Sequence, residues 1–147
     1  RMNGYLDQPK ATADVIDADG WLHTGDLGML DAEGYLYFRG RLKNMLKVGG
    51  ENVSAEEVET VLLTHPHVEM CVVLPAPDPR LQEVVMAIVQ PKPGRDVTED
   101  EIIRFCAARM ANFRVPRHVR FVTEWPLTGS GKMQRHVLRD RFAGALQ

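Results

Sequence analysis

Lys132 stands at the end of a glycine-rich run, Gly129-Ser130-Gly131-Lys132, and that combination invites a phosphate-binding reading. The P-loop pattern requires a glycine five positions before the second glycine and Ser or Thr after the lysine. Those positions hold Pro126 and Met133, so the pattern fails. The dinucleotide pattern GxGxxG fails as well, because position 134 is Gln. What survives is a loop presenting one compact cation on a flexible stem, suited to charge that develops on a phosphate. Taken alone, it reads first as an ordinary glycine turn with a solvated lysine. Residues 40–52 carry Arg41, Lys43 and Lys47 beside the pair Gly49-Gly50, with Arg39 just before. They could meet a polyanion through side chains and free backbone N–H groups, or form a solvated linker. Finally, Thr24-Gly25-Asp26 places a carboxylate in a glycine-relieved strand, able to accept hydrogen bonds from ribose hydroxyls. Aspartates also occur at turns for purely local reasons.

Other chemistries find less support. The five histidines are scattered, and no His/Cys/Asp cluster has metal-ligand spacing, so no metal site is read. His65-Pro66-His67 reads as a helix-ending turn. Cys71 and Cys106 form no CxxC pair and lie in apolar stretches, which suits two small core residues in a reducing compartment. With no signal-peptide pattern at the start, the expected location is cytoplasmic. No apolar run approaches the ~18 residues of a membrane helix.

The elements that must position these residues follow from periodicity and punctuation. Residues 1–19 read as a lead-in segment with a short strand. Residues 21–30 and 35–38, flanking the turn Asp31-Ala32-Glu33-Gly34, read as a β-hairpin. Ser54 and Glu57 have capping-box spacing ahead of Val58, Val61 and Leu62, predicting a helix that stops before Pro66. Strands are predicted over 68–74, ended by Pro75, Pro77 and Pro79, and over 84–90. Thr98 and Glu101 repeat the capping spacing before a helix carrying Ile102, Ile103, Phe105, Cys106 and Met110. A strand over 119–123, a loop over 125–133 and a last helix from about Gln134, burying Val137, Leu138 and Phe142, complete the chain. The order predicts an α+β fold, a small sheet with packed helices.

The chain's 147 residues, 44% apolar and 26% charged, suit one soluble domain and little more. The net charge of −2 hides an asymmetry: residues 1–103 hold 9 Lys+Arg and 18 Asp+Glu, residues 104–147 hold 9 and 2. A basic end of this kind is expected to meet an anion, unless it is a solvated helix face.

Each local signal is weak, but their order is specific. Thr24-Gly25-Asp26, then Gly40-Arg41-Leu42-Lys43 through Lys47, Gly49, Gly50 and Val58-Glu59, then Pro126 through Arg135, closely resemble the C-terminal part of the adenylate-forming superfamily of acyl-CoA synthetases, luciferases and peptide-synthetase adenylation domains. The resemblance covers nearly the whole chain. It implies a two-step reaction: a carboxylic acid attacks ATP to give an acyl-adenylate and pyrophosphate, and the thiol of CoA then displaces AMP. Asp26 is implied to hold the ribose hydroxyls, with Arg41 on the nucleotide near the ribose. Lys43 takes the hinge position. Lys132 is implied to bridge the carboxylate and the α-phosphate in adenylation, while Lys47, Gly49 and Gly50 face the site during thioester formation. The cofactors implied are ATP, CoA and Mg2+, the metal's ligands lying outside this chain.

On this resemblance residues 1–39 are expected to be the tail of a large N-terminal domain and 40–147 a mobile C-terminal domain that rotates between half-reactions. The chain begins with Arg1 and lacks the superfamily's phosphate loop, magnesium glutamate and acyl pocket, so a fragment, inactive alone, is expected. Without the large domain, residues 1–39 are expected to fray. Ala55 departs from the proline many relatives carry there. The Gly49-Gly50-Glu51-Asn52 variant points to fatty or other hydrophobic acids and to fatty-acid metabolism. The alternatives are an aryl or amino-acid adenylating relative, or a non-enzymatic anion-binding module. The basic end lacks an aromatic stacking pattern, since Phe113, Phe121, Trp125 and Phe142 mostly fit core positions; nucleic acid is therefore not an expected partner.

Overall fold

The computed structural model describes residues 2–143. The chain forms two compact units, Arg1–Lys43 and Asn44–Gln147. The division falls later than the expected break after residue 39, because Gly40 and Arg41 still pair with Leu27 and Asp26.

In the first unit the lead-in segment carries a short helix, α1 (Pro9–Ala13), where a strand was expected. Proline opens it, at a position where the missing N–H has no intrahelical partner. Among the described residues, its only strand-like feature is an isolated pairing of Ile16 with Leu22. The expected hairpin is present as β1 (Asp26–Leu30) and β2 (Leu36–Arg41), starting later and running further than its β-prone residues imply. Its turn is organised by Asp31, whose Oδ1 accepts the N–H groups of Glu33 and Tyr35, both at 2.9 Å. The Tyr35 N–H chiefly holds the Asp31 carboxyl below its ordinary range.

The second unit is built on a five-stranded sheet in the order β4 (Glu51–Ser54), β3 (Met45–Val48), β6 (Gln82–Pro91), β5 (Val68–Asp78), with β7 (His118–Phe121) lying parallel beside β6. Both faces are covered. Cys71, Val73, Val85, Ala87 and Val89 pack under α2 (Ala55–Leu63) and α3 (Glu99–Ala107) with Val58, Leu62, Ile102 and Cys106. Val72, Leu74, Ala76, Val84, Met86 and Ile88 pack on the other face with Leu138 of α4 (Arg135–Ala143), Trp125 and Met133. Burial on both faces explains why β5 and β6 read as continuous apolar runs rather than alternating ones.

The expected end of β5 at Pro75 is overturned: the strand runs through Pro75 and Pro77 to Asp78. The register supplies the reason. Val73 directs both backbone groups away from β6, the N–H to Glu59 and the carbonyl to Arg135. Pro75 and Pro77 share its parity on this outermost strand, so neither is asked for a ladder donor.

Residues 40–52 are likewise no linker. Leu46 and Val48 are buried while Lys47 points out, the alternation of a half-buried strand. Gly49 and Gly50, with φ of +57° and +92°, close a two-residue turn that pairs Val48 with Glu51. α2 is capped by Ser54, whose hydroxyl accepts the Glu57 N–H, and ends before Pro66 as expected. α3 has the full reciprocal capping box of Thr98 and Glu101, but stops at Ala107, short of Met110. In α4 Leu138 is fully buried, whereas Val137 is exposed. Phe121 is also exposed rather than in the core.

Candidate functional site

In the first unit the cross-strand partners Asp26 and Arg41 form an ion pair, Nε to Oδ1 at 2.9 Å. Thr24 Oγ1 accepts the Asp26 N–H, and the Gly25 carbonyl accepts the Leu42 N–H at 2.9 Å. Gly25 makes this turn at φ +73°. The pair is half-exposed, so it orients a carboxylate more than it stabilises the fold. With one oxygen facing Arg41, further lone pairs stay open for hydroxyl donors. Lys43, the expected hinge residue, is exposed in a single 3-10 turn, Leu42–Asn44, and closes the first unit.

In the second unit Lys47 and the Gly49-Gly50 turn stand together at the tip of the β3–β4 hairpin. Main-chain bonds fix this tip. The Lys47 N–H reaches Glu83 Oε2 at 2.8 Å, and the Gly49 N–H reaches the Leu81 carbonyl at 3.0 Å. A Cβ at Gly49 would come within 3.0 Å of Leu81 Cδ2; at Gly50 it would meet open space. Leu81 is held in turn by Asp78, whose Oδ1 accepts the N–H groups of Arg80 and Leu81 at 2.8 Å. Those two donors, Leu81 first, pull the Asp78 carboxyl below its ordinary range. Beside the tip lies a cleft of about 230 Å³ lined by Gly49, Leu81, Phe113 and Arg117, among others.

Lys132 occupies a separate loop that closes on itself. Leu127 bridges Met133, the Lys132 N–H is accepted by Thr128 Oγ1 at 3.0 Å, and Thr128 Oγ1 and Ser130 Oγ lie 2.9 Å apart. Gly131 turns the chain at φ +78°. The Gln134 N–H reaches the Pro126 carbonyl at 2.9 Å and ends the loop. The lysine side chain is exposed, with no ion-pair partner among the described residues.

Glu59 and Arg135, noticed in the sequence only as members of motifs, form the unit's most buried ion pair among the described residues. Arg135 Nη2 lies 2.8 Å from Glu59 Oε1 and 3.0 Å from Oε2, while Nη1 donates to the Val73 carbonyl at 3.1 Å. Glu59 Oε1 also accepts the Val73 N–H at 2.7 Å. Burial pushes the Glu59 carboxyl up, and this outweighs the pull of the Val73 N–H and the guanidinium. A sequence signal existed: Ala55, Val58, Glu59 and Leu62 share one helix stripe, and a carboxylate on a buried stripe requires a partner.

The lopsided charge is partly met within the fold. Arg114 pairs with Glu57 at 3.2 Å, Arg120 with Glu99 at 3.8 Å and Arg135 with Glu59. Arg109 lies over the Phe105 ring at 3.7 Å. Three of the nine cations of the basic end thus have intramolecular ion-pair partners among the described residues. The free thiols of Cys71 and Cys106 are buried, and burial pushes them up to about 12 and about 11. They are protonated at neutral pH and supply no nucleophile. Among the described residues no three His, Cys, Asp or Glu side chains converge to hold a metal ion, and no helix is long and apolar enough to cross a membrane. The magnesium implied by the resemblance therefore finds no ligand set in these residues, and no step is assigned to it.

A small sheet covered on both faces, with one exposed lysine on a hairpin tip and another on a glycine loop, defines an α+β domain. Over residues 57–132 the chain matches the family described as the AMP-binding enzyme C-terminal domain, and it belongs to that family. It is 50% identical over 139 residues to the 3-[(3aS,4S,7aS)-7a-methyl-1,5-dioxo-octahydro-1H-inden-4-yl]propanoyl:CoA ligase of Rhodococcus jostii (strain RHA1), covering 95% of this chain and 27% of that protein. It is 43% identical over 141 residues to the feruloyl-CoA synthase of an Amycolatopsis species, covering 96% of this chain and 28% of that one. Its fold matches the crystal structure of ATP-bound MatB from Rhodopseudomonas palustris with a TM-score of 0.90 at 31% identity, over 99% of this chain and 29% of that chain. The chain thus spans little more than a quarter of the proteins it matches.

Proposed function

We propose that this chain is the C-terminal portion of an ATP-dependent, AMP-forming acid–CoA ligase, working with a large N-terminal domain of the same polypeptide. In the first half-reaction a substrate carboxylate oxygen attacks the α-phosphorus of ATP, and the bond to pyrophosphate breaks. In the second, the CoA sulfur attacks the acyl carbonyl and AMP leaves. Lys132 bridges the carboxylate and the α-phosphate in the first step, where its charge offsets the negative charge brought together by the attack. Asp26 accepts hydrogen bonds from the ribose hydroxyls, oriented by Arg41, which itself contacts the nucleotide. Lys47, Gly49 and Gly50 face the site in the second step, and the glycines let the pantetheine arm pass close to backbone. Lys43 is the hinge between the two arrangements.

The observation that carries this reading is the Lys132 loop: a self-closed turn holding an exposed lysine without an ion-pair partner among the described residues, in a chain whose curated relatives include proteins named as CoA ligases and synthases. A hydrophobic acid substrate is part of the proposal and rests on the Gly49-Gly50-Glu51-Asn52 variant. So is a cytoplasmic setting, supported by two free buried thiols. In the intact polypeptide, ATP–pyrophosphate exchange is measured across octanoate, palmitate and ferulate. With the best of these acids, Lys132→Ala is expected to slow exchange about 10²–10³-fold while thioester formation from supplied acyl-adenylate and CoA stays within about twofold. Equal loss in both half-reactions would overturn the assignment.

A further inference from the structure

We propose that Glu59 is a positioning residue for Lys132, acting through Arg135. The inference deepens the ligase reading and rests on it. Among the described residues, the hydrogen bonds of 127–133 close within the loop or onto its flanks, Pro126 and Gln134. They give the loop a shape and leave its placement to other contacts. Met133 anchors it by packing, which is not directional. On the N-terminal side the segment is tied to the sheet by Trp125, whose Nε1–H donates to Gln90 Oε1 of β6; on the side nearer Lys132 the first polar link to the sheet comes three residues further on, at Arg135.

That link is a fork. One arm of the guanidinium meets the Val73 carbonyl, the other meets Glu59, and Glu59 also holds the Val73 N–H. Four groups from α2, β5 and α4 thereby fix the plane of Arg135 and the direction in which α4 starts. A lysine at 135 would keep the charge and lose this geometry. Two apolar residues could cover the same strand edge at similar stability, but without a direction. The ion pair is thus placed to aim the segment that carries Lys132.

The test uses the intact polypeptide. Glu59→Gln keeps the side chain's size and an acceptor for Val73 while removing the charge. Exchange with the best acid of the panel is expected to fall about 10–100-fold through kcat, with KM for acid and ATP changing less than about threefold, because misplacing a catalytic group by about 1 Å has effects of this size. Thioester formation from supplied acyl-adenylate stays unchanged. In a Lys132→Ala background the same substitution has no further effect on exchange. Amide hydrogen exchange rises over 127–133 and not over 45–54. Arg135→Lys is the second variant, read identically should Glu59→Gln fail to accumulate. Loss in both half-reactions, or full additivity with Lys132→Ala, overturns the positioning role alone. A Lys132→Ala enzyme with normal exchange overturns the ligase reading, and the positioning role with it.

Discussion

Lys47 and Lys132 are both exposed lysines beside glycines, yet the second unit holds them by different means. Lys47 sits in a strand paired residue by residue with β4, and its own N–H is fixed by Glu83. Moving it requires slipping a register, which would turn Leu46 and Val48 out of the core. Lys132 sits in a loop closed by hydroxyls and flanked by two polar attachments to the sheet, Trp125 to Gln90 before it and, nearer the lysine, the buried Arg135–Glu59 pair whose members lie 76 residues apart in sequence. A ladder distributes the task of placement over many weak bonds, whereas a clamp concentrates it in two side chains. Truncating Lys47 should therefore leave the hairpin in place, whereas truncating a member of the Glu59–Arg135 clamp should not leave the Lys132 loop in place.

The largest expected contrast is in stability. Glu59→Ala strands the Arg135 guanidinium and the Val73 N–H and should cost about 2–4 kcal/mol in denaturant melts. Lys47→Ala should stay within about 0.5 kcal/mol, as for other exposed residues. Similar losses for both would erase the distinction. A smaller contrast lies in the glycines. Gly49→Ala meets both a left-handed backbone and Leu81 Cδ2 at 3.0 Å, and should cost about 2–3 kcal/mol. Gly131→Ala meets only the backbone term, in open space, at about 1–2 kcal/mol. Equal costs would mean that the hairpin tip yields more readily than its packing implies.

The finest contrast is in pH. The Asp78 carboxyl, held low by the N–H groups of Leu81 and Arg80, stabilises the turn under the hairpin above the ordinary carboxylate pKa. That contribution is lost as pH falls through the lowered folded pKa. Glu59, raised by burial, has the opposite sign: its contribution is complete below the ordinary carboxylate pKa and is lost as pH rises through the raised one. Amide exchange corrected for its intrinsic rate should thus report weaker protection of Arg80 and Leu81 on acidification. The stability advantage of the protein over its Glu59→Gln variant in denaturant melts should shrink as pH rises through the range where Glu59 ionises. The same direction at both places would contradict the two environments.

The sequence showed what is locally encoded. Thr98 and Glu101 announce α3 because a capping box is complete within four residues. The hairpin at Lys47 is hidden between a linker and a functional-loop reading because its cations and glycines mask the alternation of Leu46, Lys47 and Val48. The Gly-Gly pair between two such stretches was the available sign of a tight turn. The continuation of β5 through Pro75 and Pro77 was hidden for another reason. Whether a proline breaks a strand depends on which neighbour its missing donor would have faced, and that is a property of the sheet. The Glu59–Arg135 pair is legible only by half, since the stripe shows that Glu59 needs a partner and nothing nearby names it. The ordered motifs single out Asp26, Arg41, Lys47 and Lys132 as candidates, while the support beneath each lysine emerges only in three dimensions.

The prolines of β5 carry a consequence for how the chain behaves at high concentration. An outermost strand is ordinarily a template on which a second molecule can lay its own backbone and begin an aggregate. Along β5 the docking positions are reduced: Pro75 and Pro77 have no N–H to offer, and at Val73 both groups are plugged by side chains. Removing Glu59 or Arg135 unplugs Val73, which proline does not guard. Such variants should then fail in two ways, one independent of concentration and one that grows with it, and only dilution will tell them apart.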